Sequence, residues 1–573
     1  MEHRRMEELE YLFKHALVQH ATYETILVNQ RKTMHLNVAR AFETVFSNRL
    51  QDFYGILAYH FSQAEELDRA EHYLILAGER ALSSSASIEA LHYYKEALAN
   101  YKEKYGASAD PEKTAMLEKY IAIAYYNMGR YIDAVPYFDR VLSYHGMGMP
   151  KHPVNKYLWA LAGFAVFMLR IHFPSLIGKR TPTEHEEEMK ELISKKCISF
   201  GVTDGKRLVL DTISHAPWYT RFNFKEFDLL FSAGIIFTMG GISFSINRRI
   251  IDYCSKRIDQ KDINSRVNFH YISVLHNIMC GNWKDESYDE ELFSKGLEIG
   301  DMFHLFTYIS MHAQIYMERG DRVAEKILDR SSEASETYEN DFGRLCTFSI
   351  FARYKLKFRE LHEALAQSNA CIKFVSENLG NKPTLLMNYS QKVQVQLLLG
   401  KIDDASDTLK IAEELVSKDQ FLPYWHNVYL TSQLIFQLNY LEDSLKHKSK
   451  KEYKKQRTRT LNAGKKAVKV CRWVAWERTE VYKLMGTMHW LTGRQKKALK
   501  WWKRSIGEAE KLGARLELSR TYFEVGKRLR EPGSRFGELN GKSANNHLEL
   551  AGTMFEEMKL EWDLKLLHKE IGK

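Results

Sequence analysis

Leu397-Leu-Leu-Gly400-Lys-Ile-Asp-Asp-Ala405 is the stretch that decides the fold. An apolar helix end runs into one glycine, and five residues later a small residue opens the next helix. Tyr125-Tyr-Asn-Met-Gly129-Arg-Tyr-Ile-Asp-Ala134 and Trp490-Leu-Thr-Gly493-Arg-Gln-Lys-Lys-Ala498 repeat it with the same spacing. Looser copies are Tyr316-Met-Glu-Arg-Gly320-Asp-Arg-Val-Ala324, Cys280-Gly281-Asn-Trp283 and Phe358-Arg-Glu-Leu-His-Glu-Ala364. The glycine accepts the left-handed conformation that stops one helix and turns the chain back. The alanine lets the returning helix pack closely. A single hairpin leaves an apolar face open, and stacking the next one covers it. Turns are predicted near 281, 320, 359, 400 and 440, about 40 residues apart, with a further one at Gly493.

The predicted fold is therefore all-α, a superhelix (α-solenoid) of helical hairpins. The local signatures resemble the tetratricopeptide family, with lengthened helices, more than HEAT or armadillo units. Composition agrees. Of 573 residues, 45% are hydrophobic and 27% charged, enough to bury a large core. Glycine (31) and proline (10) are too scarce for the many turns of an all-β protein. Between Pro150 and about Lys206 the pattern lapses around Pro150, Pro153, Pro174 and Pro182, where helices must restart.

The net charge of +10 is local. Lys446 to Arg472 holds twelve Lys or Arg and one acid, Glu452, and the rest of the chain sums to −1. Lys446, Lys448, Lys450, Lys451, Lys454, Lys455, Arg457 and Arg459 form its densest part. Such a run is expected to be a solvated loop and exposed helix start between repeats, and its charge suits an acidic partner, nucleic acid or anionic lipid. Without regularly interleaved aromatics it is not expected to bind nucleic acid. The six cysteines are dispersed and predict neither disulfides nor a zinc site. The N-terminus lacks a signal-peptide pattern, so a cytoplasmic protein is expected. Tyr157 to Leu169 is uncharged for 13 residues, and Leu229 to Ile246 for 18. The first is too short to span a membrane and the second reads as a buried helix, so no span is expected.

No catalytic residue, cofactor or metal is predicted. Gly537-Glu-Leu-Asn-Gly541-Lys542-Ser543 has one residue too few between its glycines for a phosphate loop and no strand before it. Its glycines suit a loop, and Ser543 can cap the next helix. His185-Glu186 lacks the second histidine of a zinc motif. The aromatic clusters Trp501-Trp502 and Trp473 to Trp476 read as interhelical core.

Leu9-Glu-Tyr-Leu-Phe13-Lys-His15-Ala-Leu-Val-Gln19-His-Ala-Thr-Tyr23-Glu-Thr-Ile-Leu27 resembles a segment that follows the AAA-like ATPase module of STAND-like bacterial signalling proteins. Many of those begin with a class III adenylate/guanylate cyclase domain, and the soluble adenylyl cyclases share the layout. Ala58-Tyr-His60-Phe61-Ser-Gln-Ala64, Ala77-Gly-Glu-Arg-Ala81-Leu82 and Ala90 to Leu98 continue the likeness, and Phe555 to Leu564 resembles the closing helices. The resemblance implies a winged-helix remnant at 1–48, first repeats at 49–149, an irregular connection at 150–205, repeats at 206–445, a basic insertion at 446–472, and C-terminal repeats with a cap at 473–573. It also implies that His15 matches a histidine able to touch nucleotide. The cyclase and ATPase motifs are not in this sequence and would lie upstream of Met1, so a split, truncated or partial chain is expected. The function implied is a non-catalytic regulatory arm whose concave surface binds a protein or peptide, with a separately encoded cyclase/ATPase chain as one candidate partner. Alternatives are a subunit of a split cyclase assembled in trans, or an arm of a STAND-type transcription regulator or kinase.

Overall fold

A computed structural model describes residues 15–84, 86–150, 152–176, 180–201, 203–222, 231–256, 258–447 and 449–572. Two compact units divide at Ala124/Tyr125.

The first unit contains α1 (Ala16–Thr25), α2 (Val28–Val45), α3 (Tyr54–Gln63), α4 (Leu67–Ser83), α5 (Ser87–Tyr105) and most of α6 (Pro111–Asn127). The quoted opening motif is described only from His15 onward, and Leu9 to Lys14 lie outside the described residues. Neighbouring helices pack in sequence order, α2 on α3, α3 on α4 and α4 on α5. Leu57, Phe61, Ala70, Leu74, Ala90 and Tyr94 form their buried seam.

The second unit begins with α7 (Tyr131–Tyr144), α8 (Pro153–His172), α9 (Glu184–Gly201) and α10 (Gly205–Tyr219). The connection expected to be irregular is thus largely helical. Its prolines mark helix starts, Pro153 in the first turn of α8 and Pro182 just before α9, where a missing N–H costs nothing. Lys196, buried on α9, is held 2.9 Å from both Asp139 and Asp211. Part of the Leu229 to Ile246 run lies outside the described residues. The rest holds a buried π-helical turn, Gly234–Met239, and leads into α11 (Phe244–Ser255).

Hairpins then follow one another. They pair α12 (Ile263–Cys280) with α13 (Glu290–Ile299), α14 (Met302–Glu318) with α15 (Val323–Thr337), and α16 (Asp341–Lys357) with α17 (Leu361–Asn378). Next come α18 (Lys382–Leu398) with α19 (Ile402–Lys418), α20 (Pro423–His447) with α21 (Lys450–Cys471), and α22 (Arg478–Leu491) with α23 (Gln495–Leu512). The series ends with α24 (Arg515–Leu529), α25 (Ala544–Glu557) and α26 (Glu561–Ile571). First helices touch one another in succession, α12 to α14 to α16 and on to α24, and form an inner layer. The second helices lie outside them.

Gly129, Gly320, Gly400 and Gly493 all have φ between +72° and +75°. At each turn the glycine N–H and the next N–H fold back onto the last helical carbonyls, as in Arg130 N to Tyr125 O at 2.9 Å and Lys401 N to Gln396 O at 2.8 Å. This double bond closes a helix with a left-handed residue. Ala134, Ala324, Ala405 and Ala498 are wholly buried. A Cβ on Gly400 would meet nothing within 4 Å, whereas one on Gly129 would stand 2.5 Å from the Phe342 backbone nitrogen. Gly400→Ala is therefore expected to cost only the left-handed strain, about 1–2 kcal/mol, and Gly129→Ala distinctly more. Urea unfolding midpoints of the two variants check the order.

Two expectations are corrected, and a third segment takes a more definite form. The turn predicted near 440 does not occur, because no glycine or proline breaks α20 before His447. The basic insertion is from Lys450 on the second helix of a hairpin, opened by a Ser449–Glu452 capping box. Its inner stripe is Gln456, Thr460, Ala463, Gly464, Ala467 and Cys471, small or polar residues that hydropathy does not pick out. Gln456 and Thr460 donate to the Gln437 carbonyl at 2.9 and 3.1 Å and dock α21 on α20. The segment resembling a phosphate loop is a β-hairpin. Strands β1 (Glu538–Leu539) and β2 (Lys542–Ser543) pair antiparallel about Asn540 and Gly541, both at positive φ. Ser543 then caps α25.

Candidate functional site

The inner layer carries a cluster of buried ionisable side chains. Side chains of α16, α22 and α24 meet across it in a buried charge network. Lys357 Nζ on α16 lies 2.7 Å from Glu480 and 2.8 Å from Glu517. Lys483 reaches Glu517 at 2.7 Å, and Arg520 pairs with Asp563 at 2.9 Å while donating to the Lys357 carbonyl at 2.6 Å. Arg353 bonds Glu318 at 3.1 Å and makes an ion pair with Glu477 at 2.9 Å. Arg359 lies against Trp562, 5.4 Å from the ring centre, and burial pushes it down to about 10. Burial pushes the Glu517 carboxyl up, but Lys357, Lys483 and Arg520 outweigh it and hold it well below the usual carboxylate range. For Glu318 burial prevails, and its carboxyl is raised.

Converging carboxylates of this kind could suggest a catalytic or metal centre. Here each is matched by a buried base, so the network neutralises itself. Among the described residues no group of His, Cys, Asp and Glu has a metal-binding arrangement. The neighbouring cavity, lined by Ile235, Tyr271, Leu275, Phe303, Leu345 and Met387, has a volume of about 80 Å³. A dry cavity that accepts benzene measures roughly 150 Å³. The inner face is thus built for closure.

The outer face differs. On α21, Lys450, Lys451, Lys454, Lys455 and Arg459 are exposed and Arg457 is half-buried. Lys448 and the side chain of Lys446 lie outside the described residues. The helix α22 packs against both α21 and α23. On α23, Lys496, Lys497, Lys500, Lys503 and Arg504 are exposed too. The guanidinium of Arg504 sits 4.2 Å over the Tyr482 ring and 5.4 Å from that of Trp501, which fixes it beside the end of α21. Burial raises the Cys471 thiol there to about 12, opposed by Arg478 and Arg504. Two successive outer helices each expose a run of bases, and Arg504 brings the second near Cys471 at the end of the first. The sequence pointed to the first helix. The second escaped notice because its bases are interrupted by Trp501-Trp502 and followed by Glu508 and Glu510.

His15 is exposed immediately before α1, and its carbonyl accepts the first N–H groups of that helix. In the same unit His35 Nδ1 lies 2.8 Å from His60 Nδ1, and the Tyr23 hydroxyl 3.0 Å from His35 Nε2. Burial lowers both His35 and His60, and His35 lowers His60 further. Two neutral rings sharing one proton in this way are a packing solution.

No family model matches the chain. No curated protein matches it either. Among solved structures it is similar to one described as "Crystal structure of APC/C hetero-tetramer Cut9-Hcn1", at 13% identity over 93% of this chain and 94% of that one. The TM-score is 0.41, too low for the likeness to carry an argument, and the fold rests on the hairpins themselves.

Proposed function

We propose that the chain is a non-catalytic protein-interaction arm that receives an acidic partner surface on α21 and α23. The observation that carries this reading is the juxtaposition of two basic outer helices, one of them with no ion pair to its Lys450, Lys451, Lys454, Lys455, Arg457 or Arg459 side chains among the described residues. Elsewhere in the unit, exposed charges are commonly paired along or between helices, as in Lys382–Asp419 and Arg330–Glu290. Unpaired like charges raise the local potential and attract an anionic partner at long range.

The finer reading follows the resemblance of residues 9 to 100. The partner is a separately encoded cyclase/ATPase chain in the cytoplasm, and the arm biases its switch by binding one state better than the other. Synthesis of cyclic nucleotide by the purified chain with Mg²⁺ or Mn²⁺ would contradict the non-catalytic assignment.

The test is fluorescence anisotropy with a labelled oligoglutamate peptide as probe. Replacing Lys454, Lys455, Arg457 and Arg459 by glutamine is expected to weaken binding about tenfold at low salt and to flatten its salt dependence. Unchanged affinity in that variant overturns the assignment. So does a single-stranded DNA of equal charge that binds much more tightly than the peptide, since it would make nucleic acid the partner.

A further inference from the structure

The surface of α8 is the part of the molecule least expected in water. Only Ala160, Gly163 and Phe167 of this 20-residue helix are buried. They form a narrow stripe against α10, where a Cβ on Gly163 would stand 2.5 Å from the Ile213 carbonyl oxygen. Small residues thus seat the helix closely, and Arg170 fixes its far end by donating to the Pro217 carbonyl at 2.6 Å. At helical spacing the opposite face is Val154, Leu158, Leu161, Ala165 and Leu169, with no charge among them. Leu161 is 66% exposed, and Trp159 on the flank is 56% exposed. Phe173 and Leu176 continue the apolar surface past the helix end. Among the described residues α8 is the helix long and apolar enough to cross a membrane, yet its seat on α10 holds it along the surface of the unit.

Charge selects what covers this face. Between Asp139 and Glu184 the sequence has no acidic residue, but it has Arg140, Lys151, Lys156, Arg170, Lys179 and Arg180. A second copy would bring two such positive segments together. An anionic lipid surface would meet them with opposite charge. On the helical wheel Lys156 falls in line with the buried stripe, so its long side chain starts on the protein side of the apolar face and can reach lipid headgroups if that face enters the acyl boundary. We infer that α8 is a membrane-docking helix that lies in the interface of an anionic bilayer, with Leu158, Leu161 and Leu169 as its buried anchors and Trp159 at headgroup depth.

The experiment is flotation of the full chain with vesicles of phosphatidylcholine alone and with about one-third phosphatidylserine. The chain is expected to float with the anionic vesicles, less at high salt, and only weakly with the neutral ones. Leu158→Gln, Leu161→Gln and Leu169→Gln together are expected to reduce flotation by at least about tenfold. These side chains are exposed, so the melting curve of the triple variant checks that the fold is retained. The inference is overturned if the parent floats with neither vesicle, if it floats equally with both, or if the triple variant floats as well as the parent. It is also overturned if light scattering shows a dimer that the triple variant dissolves, because the occupant would then be a second copy.

Discussion

Glu517→Gln is expected to destabilise the C-terminal unit by about 3–5 kcal/mol, the cost of breaking a buried ion network from one side. Glu517 is buried and faces Lys357, Lys483 and Arg520 at 2.8, 2.7 and 3.3 Å. Glutamine keeps the shape but removes the charge that compensates them, leaving cations from three helices crowded in a low-dielectric interior. Replacing both partners, Lys357→Met with Glu517→Leu, is expected to recover part of the loss, because one charge of each sign is removed and Lys483 keeps Glu480 at 3.9 Å while Arg520 keeps Asp563 at 2.9 Å. The pH dependence follows from the lowered carboxyl. Its folded-state pKa lies below its ordinary value of 4.5, so its stabilisation is full above that value and is lost as pH falls toward the folded-state pKa. Urea midpoints of parent and Glu517→Gln proteins should be far apart at neutral pH and converge in acid. A constant difference down to low pH would show that Glu517 acts through packing alone.

Trp502→Ala is expected to cost about 3–5 kcal/mol, the range for deleting a large buried aromatic. Its ring is wholly buried between α22 and α23, its Nε1 donates to the Lys483 carbonyl at 3.2 Å, and Trp490 lies 5.4 Å away between ring centres. Gly486 stands directly beneath it, and a side chain there would run into the indole. The pair works as a knob and a hole, so Gly486→Ala is expected to destabilise as well. Since Trp502 seats α23 on α22, the alanine variant should also weaken oligoglutamate binding under conditions where it stays folded. Thermal unfolding followed by Trp fluorescence, with anisotropy below the transition, tests both parts. A Trp502→Ala protein with an unchanged melting curve would show that α22 and α23 are held together elsewhere.

The buried network also bears on how the arm works. The inner helices satisfy one another's charges, whereas the outer face of α21 and the exposed face of α8 are not paired in this way. The closure is local as well as electrostatic. The turn at Gly320 admits Met558 where a side chain would intrude, and α14 packs on α24. Separating those helices would also break the buried pairs made by Glu318 and Glu517.

Glycine followed by alanine made the hairpins legible from Gly129, Gly400 and Gly493, because the left-handed turn and the close helix approach each demand one residue type. The same turn conformation at Glu65, Arg359 and Lys559, with φ of 57°, 63° and 55°, carried no such signal. At Arg359 tertiary packing accompanies the strained backbone, for its side chain lies against Trp562. The sequence by itself determined the helical periodicity, the hairpin turns and the excess of positive charge, since these depend on residues close along the chain. Tertiary structure decided that α21 and α23 both pack on α22, that α8 leaves its leucines uncovered, and that Lys357 meets Glu517 across 160 residues. Those outcomes depend on which helices the superhelical path brings together, and no local spacing encodes that path.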